Sequence, residues 1–84
     1  MLRVFTDFQA VGPDGYVWIL RYNDADLDKH VDDLKLAKGD RVLLDAHEDF
    51  EVSGTLDFKY VEYLGREAWV LYPDWSTRVT KRQP

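Results

Sequence analysis

The chain contains no cysteine. That alone excludes disulfides, thiolate nucleophiles and Cys-type zinc sites, and leaves stability to the packing of aromatic and branched aliphatic side chains. Long apolar runs are missing too, and the start MLRVFTDFQAV carries Arg3 and Asp7 where a signal peptide needs an uninterrupted apolar stretch. The expectation is a soluble, cytoplasmic protein with no membrane contact. No glycine-rich phosphate loop is present, because Gly12 and Gly15 share one turn and Gly39, Gly54 and Gly65 each stand alone. Bases are scarce, with 11 Lys and Arg against 16 Asp and Glu. A net charge of −5 argues against direct binding to nucleic acid, which needs clustered bases to displace counterions.

At 84 residues there is length for one core and no cleft between domains. A single domain over 1–80 is expected, made of a hairpin (1–22), a helix (24–35) and a β meander (36–80), with 81–84 a frayed basic tail. Charge within it is uneven. Residues 23–57 hold eleven acids against four bases, a local net of −7, whereas the end from Thr77 carries Arg78, Lys81 and Arg82 and no acid. A solvated acidic face that keeps a small domain soluble is the simplest explanation of the acids.

The punctuation comes from Gly, Pro and Asp. LRVFTDFQAV and YVWILRY flank Gly12-Pro13-Asp14-Gly15 and read as a hairpin. In the second run Val17 and Ile19 point one way and Trp18, Leu20 and Tyr22 the other, so the strand needs cover on both faces.

NDADLDKHVDDLK, residues 23–35, poses the sharpest question, because Asp24, Asp26 and Asp28 have the alternating spacing of a calcium loop. Lys29 then stands where the sharp turn needs Gly, and Lys35 where the bidentate Glu belongs, which removes the calcium reading. As a helix, Leu27, Val31 and Leu34 form one apolar stripe, Asn23 or Asp24 caps it, and Asp26, Asp28, Asp32 and Asp33 face water.

Lys38-Gly39-Asp40 turns the chain into Arg41–Ala46, and a second acidic turn follows at His47-Glu48-Asp49. From Glu51 to Tyr63, Val52, Leu56, Phe58 and Tyr60 share one face, with Gly54 marking a bulge or bend. Leu64-Gly65-Arg66-Glu67 reads as a turn into Ala68–Tyr72, apolar on both faces and hence a central strand. Pro73-Asp74-Trp75-Ser76 breaks it before a last short strand within Thr77–Thr80.

This order resembles the SH3-like small barrel over residues 36–80. The resemblance rests on Lys38-Gly39-Asp40-Arg41-Val42, Val52-Ser53-Gly54-Thr55-Leu56, Trp69, and Pro73-Asp74-Trp75-Ser76 at the place of the one-turn helix. It implies an α+β, mainly β fold: an SH3-like antiparallel barrel with an added N-terminal β-hairpin and one short amphipathic helix. The tyrosine-rich motif and paired tryptophan of the polyproline groove are not found, nor is the aromatic spacing of a Tudor-like cage, so the resemblance implies a fold and no particular ligand.

Catalytic groups are sparse. His30 and His47 read as surface histidines, Ser53 and Ser76 lack the setting of a nucleophile, and Asp45, Glu48, Asp49 and Glu51 crowd a polar tip rather than an apolar pocket. We expect no enzyme activity, no cofactor and no metal site. Eight of the twelve aromatics are Trp or Tyr, which carry apolar area with a polar handle. Trp18, Phe58 and Trp69 read as core. Tyr63 and Trp75, beside turns, read as a protein-facing patch that Tyr16, Tyr22 and Tyr72 could border.

The leading expectation is therefore a noncatalytic module that binds a protein partner through Tyr63, Trp75 and Tyr72, with Asp26, Asp28, Asp32 and Asp33 as its acidic contacts. One alternative is an acidic inhibitor that imitates nucleic-acid phosphates, using those four aspartates as a rigid helical row. Another is a homodimeric small-ligand binder, with self-association through an edge strand at 2–11.

Overall fold

The structure is a computed structural model that describes residues 2–6, 15–46 and 50–80. It is mostly β, with one short α-helix. The strands are β1 (Arg3–Phe5), β2 (Arg21–Tyr22), β3 (Ala25–Asp26), β4 (Arg41–Asp45), β5 (Phe50–Val61), β6 (Arg66–Pro73) and β7 (Val79–Thr80). They form one mixed sheet in the order β3-β2-β1-β4-β5-β6, with β7 on β5. All pairs are antiparallel except β1 with β4.

β5 organises the rest by changing neighbours along its length. Residues Glu51–Thr55 pair with β4, Gly54–Val61 pair with β6, and Phe50–Glu51 pair with β7. The expected bulge at Gly54 is absent, since the β4 register runs through it without a slip, and the β6 ladder begins there. Glycine is needed there for a different reason. A Cβ at 54 would lie 2.5 Å from Leu71 Cδ2 and 2.7 Å from the Tyr72 carbonyl oxygen, so β6 can cross β5 this closely only where no side chain intervenes.

The core lies on the face bearing Val4, Val42, Leu44, Val52, Leu56 and Leu71, and Val17, Leu20 and Leu27 complete it. Trp18, Phe58 and Trp69, expected as core, are only half-buried. Phe58 and Trp69 sit opposite each other on β5 and β6, with ring centroids 5.5 Å apart, where the face runs out toward water. β6 is also not central. Among the described residues its far edge meets only Val17, and its two apolar faces are covered separately: Leu71 and Trp69 against the core, Ala68 and Val70 against Tyr16 and Trp18.

The first hairpin is present in part. β1 opposes β2 with Phe5 across from Arg21, and the proposed turn at 12–14 lies outside the described residues. The run 16–22 is not one strand. Val17 bridges Leu71, Arg21–Tyr22 pair with β1, and Trp18–Leu20 cross between them, which puts Val17 and Leu20 in one core instead of on opposite faces. Nor is β1 an edge, because β2 and β4 flank it, which removes Arg3–Phe5 as an edge for self-association.

The helix expected over 24–35 is broken up. Asn23 and Asp24 take φ of 49° and 62°, the left-handed pair of a two-residue hairpin turn that joins β2 to β3, and they cap nothing. The Leu27 amide donates to the Leu20 carbonyl at 2.8 Å, so extended pairing continues to Leu27 and delays any helix. A 3-10 turn over Leu27–Lys29 and α1 (Val31–Leu34) follow, ended by Lys35 at φ 55°. The apolar stripe survives without the helix: Leu27 is fully buried, and Val31 and Leu34 are half-buried.

The sheet is open. Its ends, β3 and β6, share no ladder, and among the described residues hydrogen bonds span the seam beside them at two places. At one end Val17 and Leu71 exchange backbone hydrogen bonds of 2.8 and 2.9 Å, and at the other Arg66 Nη1 donates to Asp28 Oδ2 at 3.3 Å.

Candidate functional site

Between those two contacts the seam leaves a solvent-open cleft of about 60 Å³, bordered by Trp18, Ile19, Asp26, Asp28, Leu64 and Arg66. Each border residue is placed by an element already described. Trp18 and Ile19 come from the crossing segment, Asp26 ends β3, Asp28 sits in the 3-10 turn, Leu64 lies in the β5–β6 turn, where Gly65 at φ 66° permits the reversal, and Arg66 opens β6. That turn spans Glu62–Gly65, earlier than the sequence suggested, so Tyr63 is lifted out of the strand. Tyr63 is 61% exposed, and its ring lies flat on Trp18, with centroids 5.2 Å apart and planes 10° from parallel. The structure thus brings three expected contact residues, Tyr63, Asp26 and Asp28, around a Trp18 that was expected in the core.

Both carboxylates already hold a guanidinium. Arg21 Nη1 is 3.2 Å from Asp26 Oδ1, and Arg66 Nη1 is 3.3 Å from Asp28 Oδ2. These pairs are exposed, and exposed pairs contribute about 0.2–1 kcal/mol, so they orient side chains without locking them. Asp32 and Asp33 stand apart, exposed on α1. The four aspartates therefore form no row: they lie on three elements, and two of them are paired with arginine.

The other aromatic candidates are elsewhere. Trp75 is 48% exposed in a second 3-10 turn, Trp75–Thr77, and meets the edge of Phe50 with centroids 5.6 Å apart. Phe50 and Val61 are the two ends of β5, so Tyr63 and Trp75 lie on the order of 30 Å apart along the strand and make no common patch. Tyr72 is half-buried between Tyr16, at 5.9 Å between centroids, and Lys59, whose Nζ is 3.2 Å from the Tyr72 hydroxyl.

The Trp75 turn is clasped by a short relay. Arg41 Nη2 donates to Ser53 Oγ at 2.7 Å, Ser53 Oγ donates to Thr77 Oγ1 at 2.8 Å, and Thr77 Oγ1 donates to the Asp74 carbonyl at 2.7 Å. Both Ser53 and Ser76 hydroxyls are committed, the latter to Asp74 Oδ1 at 2.6 Å. The hydrogen bonds from the Ser76 hydroxyl and amide, followed by the charge of Arg41, hold the Asp74 carboxyl below its ordinary value of 3.8. A depressed carboxyl favours the fold above the unfolded-state value and loses that contribution as pH falls through the folded one. Urea midpoints should therefore fall below about pH 4 in the wild type, and the gap to Asp74→Asn should narrow there. A pH-independent gap would show that the charge of Asp74 contributes nothing.

Asp45 and Glu51, expected in a polar tip, are part of the sheet. Asp45 is 5% exposed, and Arg3 Nη1 reaches Asp45 at 2.6 Å and Glu51 at 3.0 Å. Hydrogen bonds to Asp45 and then to Glu51 raise the Arg3 pKa above its usual value. His30 is half-buried, edge-on to Tyr22 at 5.3 Å, and its buried Nε2 has no hydrogen-bond partner among the described residues. His47, Glu48 and Asp49 and the basic tail at 81–84 lie outside the described residues. Among the described residues no three His, Asp or Glu groups are placed to hold a metal, and no helix is long and apolar enough to cross a membrane.

Trp18, Ile19, Leu64 and Arg66 are border residues that sequence reasoning did not single out as part of a site. The available signal was the run YVWILRY, whose apolar residues on both faces required cover that a two-faced strand cannot always find. Compared with known proteins, the chain matches no family model, no curated protein and no solved structure.

Proposed function

We propose that this chain is a noncatalytic protein-interaction module, and that its partner docks at the seam, on Tyr63 and Trp18 with Asp26, Asp28 and Arg66 around them. The observation that supports the reading is the exposed Tyr63 ring held flat on Trp18 beside paired charges, because aromatic rings and arginine are what binding surfaces are enriched in. We further infer that residues 36–80 form an SH3-like small barrel. Support comes from the β4-β5-β6 meander, the 3-10 turn after Pro73 and β7 beyond it.

The two alternatives are less well supported. A cleft of about 60 Å³ has room for a few waters or one side-chain tip, far below the roughly 300–1,000 Å³ of small-molecule sites. A phosphate mimic needs unpaired carboxylates in a row, and Asp26 and Asp28 are each paired with an arginine.

The test begins with capture of the partner from native lysate on the tagged protein, followed by titration of the purified partner. Tyr63→Ala should weaken binding at least tenfold while moving the thermal midpoint by only a few degrees, since an exposed ring contributes little to folding. Unchanged affinity in Tyr63→Ala, with loss of affinity in Trp75→Ala, would move the site to the far end of β5. Salt-sensitive binding to a nucleic-acid enzyme that ignores both aromatic changes would restore the acidic mimic.

A further inference from the structure

The seam site has a chemistry that can be read from what already occupies it. Each cleft carboxylate accepts from a guanidinium of the chain itself, Asp26 from Arg21 and Asp28 from Arg66. The geometry at both is single-bonded and long, at 3.2 and 3.3 Å, where a well-seated guanidinium on a carboxylate is bidentate at about 2.7–2.9 Å. Arg66 also divides its donors, since the same Nη1 reaches the Glu67 carbonyl at 3.2 Å. Asp28 is therefore held by a partner it can exchange. Its side chain is 32% exposed, and beside it the cleft offers Trp18 as an apolar wall and the volume of one side-chain tip.

Local charge favours a cation. The turns that bound the cleft add the exposed Asp24, Glu62 and Lys29, so the four acids Asp24, Asp26, Asp28 and Glu62 still outnumber the three bases Arg21, Lys29 and Arg66. Between the two biological cations, guanidinium fits better. It is planar, stacks on indole and phenol rings, and is less strongly hydrated than an ammonium, so it loses less on entering a half-open cleft.

Resting on the interaction-module reading above, we propose that the cleft is the pocket for an arginine side chain of the partner, which displaces Arg66 from Asp28 and lies against Trp18. Arg66 is then a competitor that occupies the carboxylate in the unbound protein, and the cost of displacing it is small because the pair is exposed.

The probe is N-acetyl-arginine N-methylamide, titrated into the labelled full chain and followed by amide and indole proton–nitrogen spectra, with the citrulline and lysine counterparts as controls. Arginine should saturate in the millimolar range, at least fivefold tighter than either control, with the largest shifts at the Trp18 indole and the amides of Leu27–Lys29. Asp28→Asn should abolish the preference for arginine over citrulline. Arg66→Ala should bind the probe about two- to fivefold more tightly, because the competitor is gone. Weaker binding in Arg66→Ala would overturn the proposal, since Arg66 would then help to hold the probe instead of competing with it for Asp28. So would equal binding of citrulline or lysine, shifts centred on Asp32 and Asp33, or no saturation. A probe that fails while Tyr63→Ala still weakens the partner leaves the module standing and removes only the arginine pocket.

Discussion

Gly54→Ala is expected to destabilise the fold by about 1–3 kcal/mol, the range for forcing a methyl group into a packed interior. The added Cβ would meet Leu71 Cδ2 at 2.5 Å, Leu71 Cγ at 2.9 Å and the Tyr72 carbonyl oxygen at 2.7 Å. A flexible side-chain end could swing away from such a contact, but Leu71 is fully buried and the Tyr72 carbonyl is backbone. β6 would have to lift from β5 where the ladder begins, at Gly54 opposite Pro73. For a domain of this size the loss corresponds to roughly 5–20 °C in the thermal midpoint. Leu71→Ala, costly alone, should recover part of the penalty when combined with Gly54→Ala, because two of the three close contacts disappear and the carbonyl contact remains. A double-mutant cycle in urea measures that coupling. Strictly additive losses would mean that the backbone contact alone makes glycine necessary.

Leu27→Ala should cost about 2–5 kcal/mol, because Leu27 is 0% exposed and its cavity is bounded by strands that cannot collapse into it. The consequence reaches past stability. Leu27 joins the core at the point where β3 gives way to the 3-10 turn, and its neighbours Asp26 and Asp28 are the two cleft carboxylates. Loosening Leu27 frees both from their arginines, so amide exchange at Asp26–Lys29 should accelerate more than exchange in β5. Uniform acceleration across the chain would mean that this segment unfolds only with the whole.

The half of the chain from residue 36 onward was largely legible in the sequence because its signals are local. Gly39 at φ 90°, the Asp40 carboxylate accepting from the Ala37 amide at 2.9 Å, the alternation along β5 and the break at Pro73-Asp74 are decided within a few residues. The stretch 16–35 was misread for the opposite reason. Leu27, Val31 and Leu34 have helical spacing, yet the bond from Leu27 to Leu20 and the bridge from Val17 to Leu71 dictate extended backbone there, and neither leaves a local trace. The same bridge explains the candidate site. Asp26, Asp28 and Tyr63 stood out individually from residue type and exposure, but their meeting with Trp18 and Arg66 depends on the crossing segment being pinned to β6.

β1 lies parallel to β4, with Arg3, Val4 and Phe5 opposite Leu43, Leu44 and Asp45. During synthesis β1 can meet β2 once the chain has passed Tyr22, but its parallel neighbour β4 emerges only after residues 6–40 have been made, and β4 gains its other neighbour only when β5 follows. Val4, fully buried in the finished sheet, therefore lacks its β4 neighbour while residues 6–40 are made. Of the described strands, β1 is thus flanked on both sides only after strands that follow it in the chain have been made.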